Sequence, residues 1–158
     1  QAFLGVAFSF GIPMAFAAVD EMVGWLGWVY FAINLFWVMA YDTEYAMVDR
    51  DDDLKLGMKT SAILFGKLDV LIVMLCYAIH LGGMTYIGQV RGMGAWYYAG
   101  VAVASLLALW HYWLIRGRDR ARCFRAFRAN HWYGTAIFAG VVIDYGVRFE
   151  RWPWMPPL

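Results

Sequence analysis

The sequence predicts an all-α fold, a polytopic bundle of transmembrane helices. Three observations point there. Of the 158 residues, 63% are hydrophobic and only 16% charged, where a soluble domain carries about a quarter charged residues. The apolar residues come in long blocks, and mean hydropathy is positive. Lys and Arg gather in alternate connections between those blocks, the pattern of a multispanning membrane protein.

The first block is "FLGVAFSFGIPMAFAAV", Phe3–Val19, with Pro13 tolerable as a membrane-helix kink. The second, "WLGWVYFAINLFWVMAY", runs from Trp25 to Tyr41 with Asn34 its one polar side chain, and its helix is expected to continue to about residue 47. Leu68–Ile87, Ala95–Ile115 and Trp132–Val147 follow. The expected helices therefore lie near 3–19, 25–47, 68–87, 95–115 and 132–147, in one domain covering 1–158. Each is near the roughly 17–25 residues that a spanning helix needs, and tilt covers a shortfall. Trp and Tyr cluster at block ends (Trp25, Trp96, Trp113, Trp132), as interfacial anchors do. The chain begins without Met and already close to an apolar run, which suggests a missing N-terminal portion.

Orientation follows from the bases. Arg50, Lys55, Lys59 and Lys67 lie between helices 2 and 3, and Arg116, Arg118, Arg120, Arg122, Arg125 and Arg128 between helices 4 and 5. The opposite side holds only Arg91, Arg148 and Arg151. Ten against three places the two basic connections on the cytoplasmic side, or its mitochondrial equivalent. The six arginines of the second connection serve there as a topology anchor. Cys76 and Cys123 form no CxxC pair and are expected to be packing residues or free thiols. No nucleic-acid partner is expected; the partner is the lipid bilayer.

One stretch breaks the apolar pattern. "YDTEYAMVDRDDDLKLGMKTSAILFG" places Asp42, Glu44, Asp49, Asp51, Asp52 and Asp53 directly after the second block, half of all the acidic residues. If the helix continues past Tyr41, Asp42 and Asp49 share a face and Asp53 adds an i+4 step. Like charges so arranged invite a cation. Magnesium suits, since it takes one or two carboxylates, keeps waters and completes its shell with phosphate oxygens. A solvated loop, with Arg50, Lys55 and Lys59 pairing across the turn, is the other reading of the same spacing. A calcium EF-hand loop starting at Asp49 is excluded, because Leu54 stands where it needs Gly and Thr60 where it needs Glu.

The same stretch resembles the second aspartate-rich motif of the UbiA superfamily of membrane prenyltransferases. Within it, the likeness is greatest to the 4-hydroxybenzoate polyprenyltransferases of ubiquinone biosynthesis. "IPMAFAA" (Ile12–Ala18) and "CFRAFRANHWYG" (Cys123–Gly134) extend the resemblance over essentially the whole chain. The family's D-x-x-x-D corresponds to Asp49 and Asp53, followed by Gly57, Thr60 and Ser61. Its other motif, N-D-x-x-D-x-x-x-D, is absent here, and the five blocks resemble the last five of the family's nine helices. The resemblance implies transfer of a polyprenyl group from polyprenyl diphosphate to 4-hydroxybenzoate, an activity of the complete protein that 1–158 alone is expected to lack.

In that reading Asp49 and Asp53 are catalytic residues that hold Mg2+, and Asp42, Asp52 and Lys59 are candidate substrate contacts. The aromatic residues Phe36, Trp37, Tyr41 and Tyr45 lie at the level where rings would shield an allylic cation. Naphthoate, homogentisate or haem prenyl transfer remains open within the superfamily. A different class also stands: His80, His111 and His131 allow a haem-binding electron-transfer subunit if histidines face one another across helices. A transporter fits less well, because the carboxylates sit at the lip and not the midplane. Asn34 marks either a cavity or a helix–helix hydrogen bond.

Overall fold

The computed structural model describes residues 1–149, and every regular element among them is helical. Helices α1 (Ala2–Ser9) and α2 (Gly11–Asp20) are two parts of one apolar rod. Phe10 still donates its N–H to Val6 at 3.1 Å, but Pro13 has no N–H to return to Ser9, so the ladder is broken where the rod divides.

Helix α3 (Trp25–Lys55) has 31 residues and starts after the extended Gly24. At 1.5 Å per residue it is about 46 Å long, well beyond a hydrocarbon core of about 30 Å. It therefore carries the whole acidic stretch as helix, eight residues past the expected end at 47. Gly57 stops it: at φ +69° the glycine N–H reaches Leu54 at 3.3 Å and Met58 N–H reaches Asp53 at 2.9 Å, a Schellman closure.

A short α4 (Ser61–Phe65) and a 3₁₀ turn (Gly66–Leu68) lead into α5 (Asp69–Val90), which Gly92 closes in the same way. Helix α6 (Ala95–Ile115) has the expected bounds. Helix α7 (Arg120–Phe149) does not: it begins twelve residues before the expected 132, so most of the arginine-rich connection is helix. Asp119 caps it, accepting the Arg122 N–H at 2.9 Å. Cys123, Ala126, Asn130 and Tyr133 form a buried stripe at helical spacing, while the arginines occupy the outer face. Arg151, counted above among the bases of the opposite side, lies outside the described residues.

Packing is that of a membrane bundle. Many large apolar side chains are exposed, such as Phe3, Leu64, Leu106 and Phe138, while the interior includes small and polar residues such as Ala40, Ala104, Glu44 and His111. Helices α6 and α7 make the most extensive pairing. They cross at Gly100 and Gly140, where a Cβ on Gly100 would come within 2.5 Å of the Ala136 carbonyl oxygen. The segments Ala2–Asp20, Ser61–Val90 and Ala95–Ile115 are long and apolar enough to cross a bilayer, and the chain is an integral membrane protein.

Candidate active site

The end of α3 brings Asp49, Asp52 and Asp53 together on its last turns. Asp53 is buried and makes no ion pair or side-chain hydrogen bond among the described residues. Asp49 is half-buried and meets Arg120 at 3.5 Å. Asp52 is held by Lys55 at 3.1 Å and Arg120 at 3.1 Å. Those hydrogen bonds, from Lys55 first and then Arg120, keep its carboxyl below the usual carboxylate range. Asp42 lies seven residues before Asp49, about 10 Å down the helix axis, and Lys59 is exposed beyond the helix end. Ser61 folds back onto α3, its hydroxyl 2.9 Å from that of Thr43.

A cleft of about 510 Å³ opens beside this end, bounded by Tyr45, Asp49, Arg120 and Phe124. Among the described residues no three His, Cys, Asp or Glu side chains come together to enclose a metal. The donor set instead fits an ion that takes one or two carboxylates and fills its shell with water and phosphate. Two carboxylates one turn apart, Asp53 with no ion pair among the described residues and Asp49 with one at 3.5 Å, meet that need.

Below the carboxylates an aromatic ladder descends along α3. Tyr45 and Phe127 are 4.9 Å apart, Tyr41 and Phe127 6.3 Å, and Trp37 and Tyr41 6.0 Å. Trp37 then borders a separate apolar cavity of about 320 Å³, with Ile33, Asn34, His80, Met84 and Ile137 among its walls. Gly134 admits the Trp37 ring, since a Cβ there would fall 2.6 Å from its edge. Asn34 satisfies both readings of it: it borders this cavity and donates to the Ser9 hydroxyl at 2.9 Å.

Three buried carboxylates were not singled out from the sequence; Asp144 pairs with Arg148 at 3.0 Å, and the other two, Glu44 and Asp69, each tie helices together. Glu44 accepts from Tyr77 at 3.0 Å, from His111 Nδ1 at 3.1 Å and from Asn130 Nδ2 at 2.7 Å, joining α3 to α5, α6 and α7. Trp37 Nε1 donates to the Asn130 oxygen at 3.0 Å, which links this network to the cavity wall. Asp69, fully buried at the start of α5, takes Arg118 through Nη2 at 2.6 Å and Nε at 3.0 Å, and Arg50 at 3.2 Å. Glu44 had a readable signal, because it falls on the buried stripe Ile33–Ala40–Met47. Asp69 had only the general preference for acids at a helix start.

These pairs also revise two expectations about the bases. Arg50 turns away from the acidic stretch to Asp69, and Arg118 and Arg120 make specific pairs beyond any role in topology. The histidines do not face one another across one cavity. His111 is fully buried against Glu44, His131 is exposed and bonded to the Arg128 carbonyl of its own helix, and His80 pairs with the Tyr133 hydroxyl at 2.8 Å.

Fold and site together define an integral membrane helical bundle whose carboxylate-bearing lip stands at the head of an aromatic ladder and an apolar cavity. The chain belongs to the UbiA prenyltransferase family, whose sequence profile matches residues 1–134. It is 61% identical to a protein of Azoarcus sp. (strain BH72) named 4-hydroxybenzoate octaprenyltransferase, over 92% of this chain and 50% of that one. A protein of the same name from Herminiimonas arsenicoxydans is 58% identical over 94% of this chain and 52% of its own. The chain spans about half the length of the curated relatives it matches. No solved structure matches it.

Proposed function

We propose that the protein transfers a polyprenyl group from polyprenyl diphosphate to the ring of 4-hydroxybenzoate, ortho to its hydroxyl, in ubiquinone biosynthesis. One observation carries the reading: the i, i+4 pair Asp49 and Asp53 stands on the last turns of α3 at the lip of a membrane bundle, with the aromatic ladder beneath it. The names of the relatives favour this acceptor over a naphthoate, homogentisate or haem ring. Asp49 and Asp53 hold Mg2+, which when bound offsets the negative charge that develops on the departing diphosphate. The helix closure at Gly57 holds the Asp53 backbone through its carbonyl. Arg120 positions Asp49 and Asp52, and its guanidinium adds positive charge at the same lip. Asp42, Asp52 and Lys59 offer further contacts to the polar parts of the two substrates. The faces of Tyr45, Tyr41 and Trp37 shield the allylic cation from water and attract it by about 0.5–2 kcal/mol each, while the apolar cavity receives the hydrocarbon tail. The ten bases on one side support a lip that faces the cytoplasm at a bacterial inner membrane, or the matrix at a mitochondrial one, with α3 and α7 also spanning.

The test is transfer of a labelled prenyl group to 4-hydroxybenzoate by the full-length protein across a magnesium titration, at matched protein levels in membranes. Asp49→Asn and Asp53→Asn each keep the shape but lose the charge, and are expected to lower the rate about 10²-fold or more. Asp20→Asn, at the far end of α2, is expected to leave it unchanged. Near-normal rates and an unaltered magnesium dependence in both motif variants would refute the proposal.

A further inference from the structure

Six arginines lie between Arg116 and Arg128, and they do not behave alike. Arg118 and Arg120 are paired with acids. Arg125 and Arg128 have no acidic partner among the described residues and border a recess of about 340 Å³ between the end of α6 and the start of α7. Its walls are Trp110, Phe124, Arg125, Arg128, His131 and Trp132, with two alanines and no carboxylate. The Arg125 guanidinium stands 5.4 Å from the Trp110 ring centre, which holds it over the recess. Arg125 follows Arg120 by five residues, about 140° round the helix, so it points away from the pairing of Arg120 with Asp49, while Ala121 and Phe124 border both the recess and the cleft there.

We propose that this recess binds the phosphate headgroup of an anionic phospholipid. Charge selects the headgroup: two guanidiniums without an acidic partner, with nothing negative opposing them, favour a net anionic lipid over a zwitterionic one. Depth selects a lipid over a free anion. Trp110 and Trp132 stand at the level where indoles mark the membrane interface. Toward the membrane interior, exposed apolar side chains continue the same faces, Leu106 one turn before Trp110 and Phe138 two turns after His131. A headgroup in the recess thus leaves its acyl chains against a surface made for them, which free phosphate or diphosphate would not use. The occupant commits the recess to a structural role at the membrane surface, apart from the transfer reaction.

Native mass spectrometry of the full-length protein released from phosphatidylcholine nanodiscs containing a minor share of phosphatidylglycerol tests this. The wild type is expected to retain phosphatidylglycerol in preference to phosphatidylcholine. Arg125→Gln/Arg128→Gln is expected to cut that preference about thirtyfold, from the attraction two bases exert at an anionic surface. Arg116→Gln/Arg122→Gln removes the same charge off the recess and is expected to change it little. Equal losses in the two double variants would mean diffuse charge and overturn the site. No preference in the wild type, as when the rest of the protein covers the recess, would overturn it too. So would displacement of the retained lipid by added inorganic phosphate or diphosphate, which would make the ligand a free anion.

Discussion

Replacing Glu44 by Ala tests whether one buried carboxylate ties the four long helices together. Three donors converge on it from α5, α6 and α7, at 2.7–3.1 Å. Hydrogen bonds to a charged acceptor contribute about 1.5–3 kcal/mol each, so a simple sum would approach 5–9 kcal/mol. That sum overshoots for two reasons. Each donor keeps another acceptor: Tyr77 has the Asn130 oxygen at 2.8 Å, Asn130 has the Ala126 carbonyl at 3.2 Å, and His111 has the Tyr77 oxygen at 2.9 Å. Removing the carboxylate also lifts its own desolvation cost of several kcal/mol. A loss of about 3–5 kcal/mol is expected, the usual result of deleting one partner of a buried pair.

Glu44→Gln should cost less, about 1–3 kcal/mol. Its amide oxygen can still accept from Asn130, but its NH2 group then faces His111 Nδ1. The imidazole must move its proton to Nε2, a buried atom with no partner among the described residues. Unfolding in mixed micelles, driven by rising dodecyl sulfate and followed by circular dichroism, measures both losses. A double-mutant cycle with His111→Ala should show coupling of at least about 1 kcal/mol. The reasoning fails if Glu44→Ala stays within about 0.5 kcal/mol of wild type, or if the two substitutions simply add.

Gly100→Ala and Gly140→Ala should each destabilise the protein by about 1–3 kcal/mol, because the helix backbones meet there with no room for a methyl group. Gly82→Ala, in α5 with open space beside it, should be neutral or stabilising by up to about 1 kcal/mol; the same unfolding assay separates them. Arg118→Lys keeps the charge but loses the two-pronged contact with buried Asp69 and the bond to the Lys67 carbonyl. It should cost about 1–3 kcal/mol, and Lys55→Arg, whose side chain is exposed, should cost almost nothing.

How much of this was legible depended on whether a feature is local. Asp49, Asp53 and Gly57 could be read together, because an i, i+4 pair and the glycine that ends its helix belong to one short stretch. The bounds of α6 were readable for the same reason, with Gly94 and Arg116 setting off a run that is apolar but for Ser105 and His111. The partners of Asp69 and Glu44 were not, since they lie 19–49 and 33–86 residues away. No spacing rule reports which helix faces will meet.

One misplaced boundary accounts for much of the rest. Arginine density between 116 and 128 outweighed a buried stripe of only Cys123, Ala126, Asn130 and Tyr133, so the segment read as a connection. Begun instead at Arg120, α7 is long enough to serve two levels of the site. Its first residue reaches Asp49 and Asp52 at the lip, and Asn130, ten residues and about 15 Å further along, reaches Glu44 and Trp37. On α3 the order is the same, with Glu44 below Asp49. The two helices therefore meet at both levels in matching register, and the network around Glu44 fixes the rotation of α3 that presents Asp49 and Asp53. A loop over the same residues could place Arg120 near the lip, but it could not hold that register.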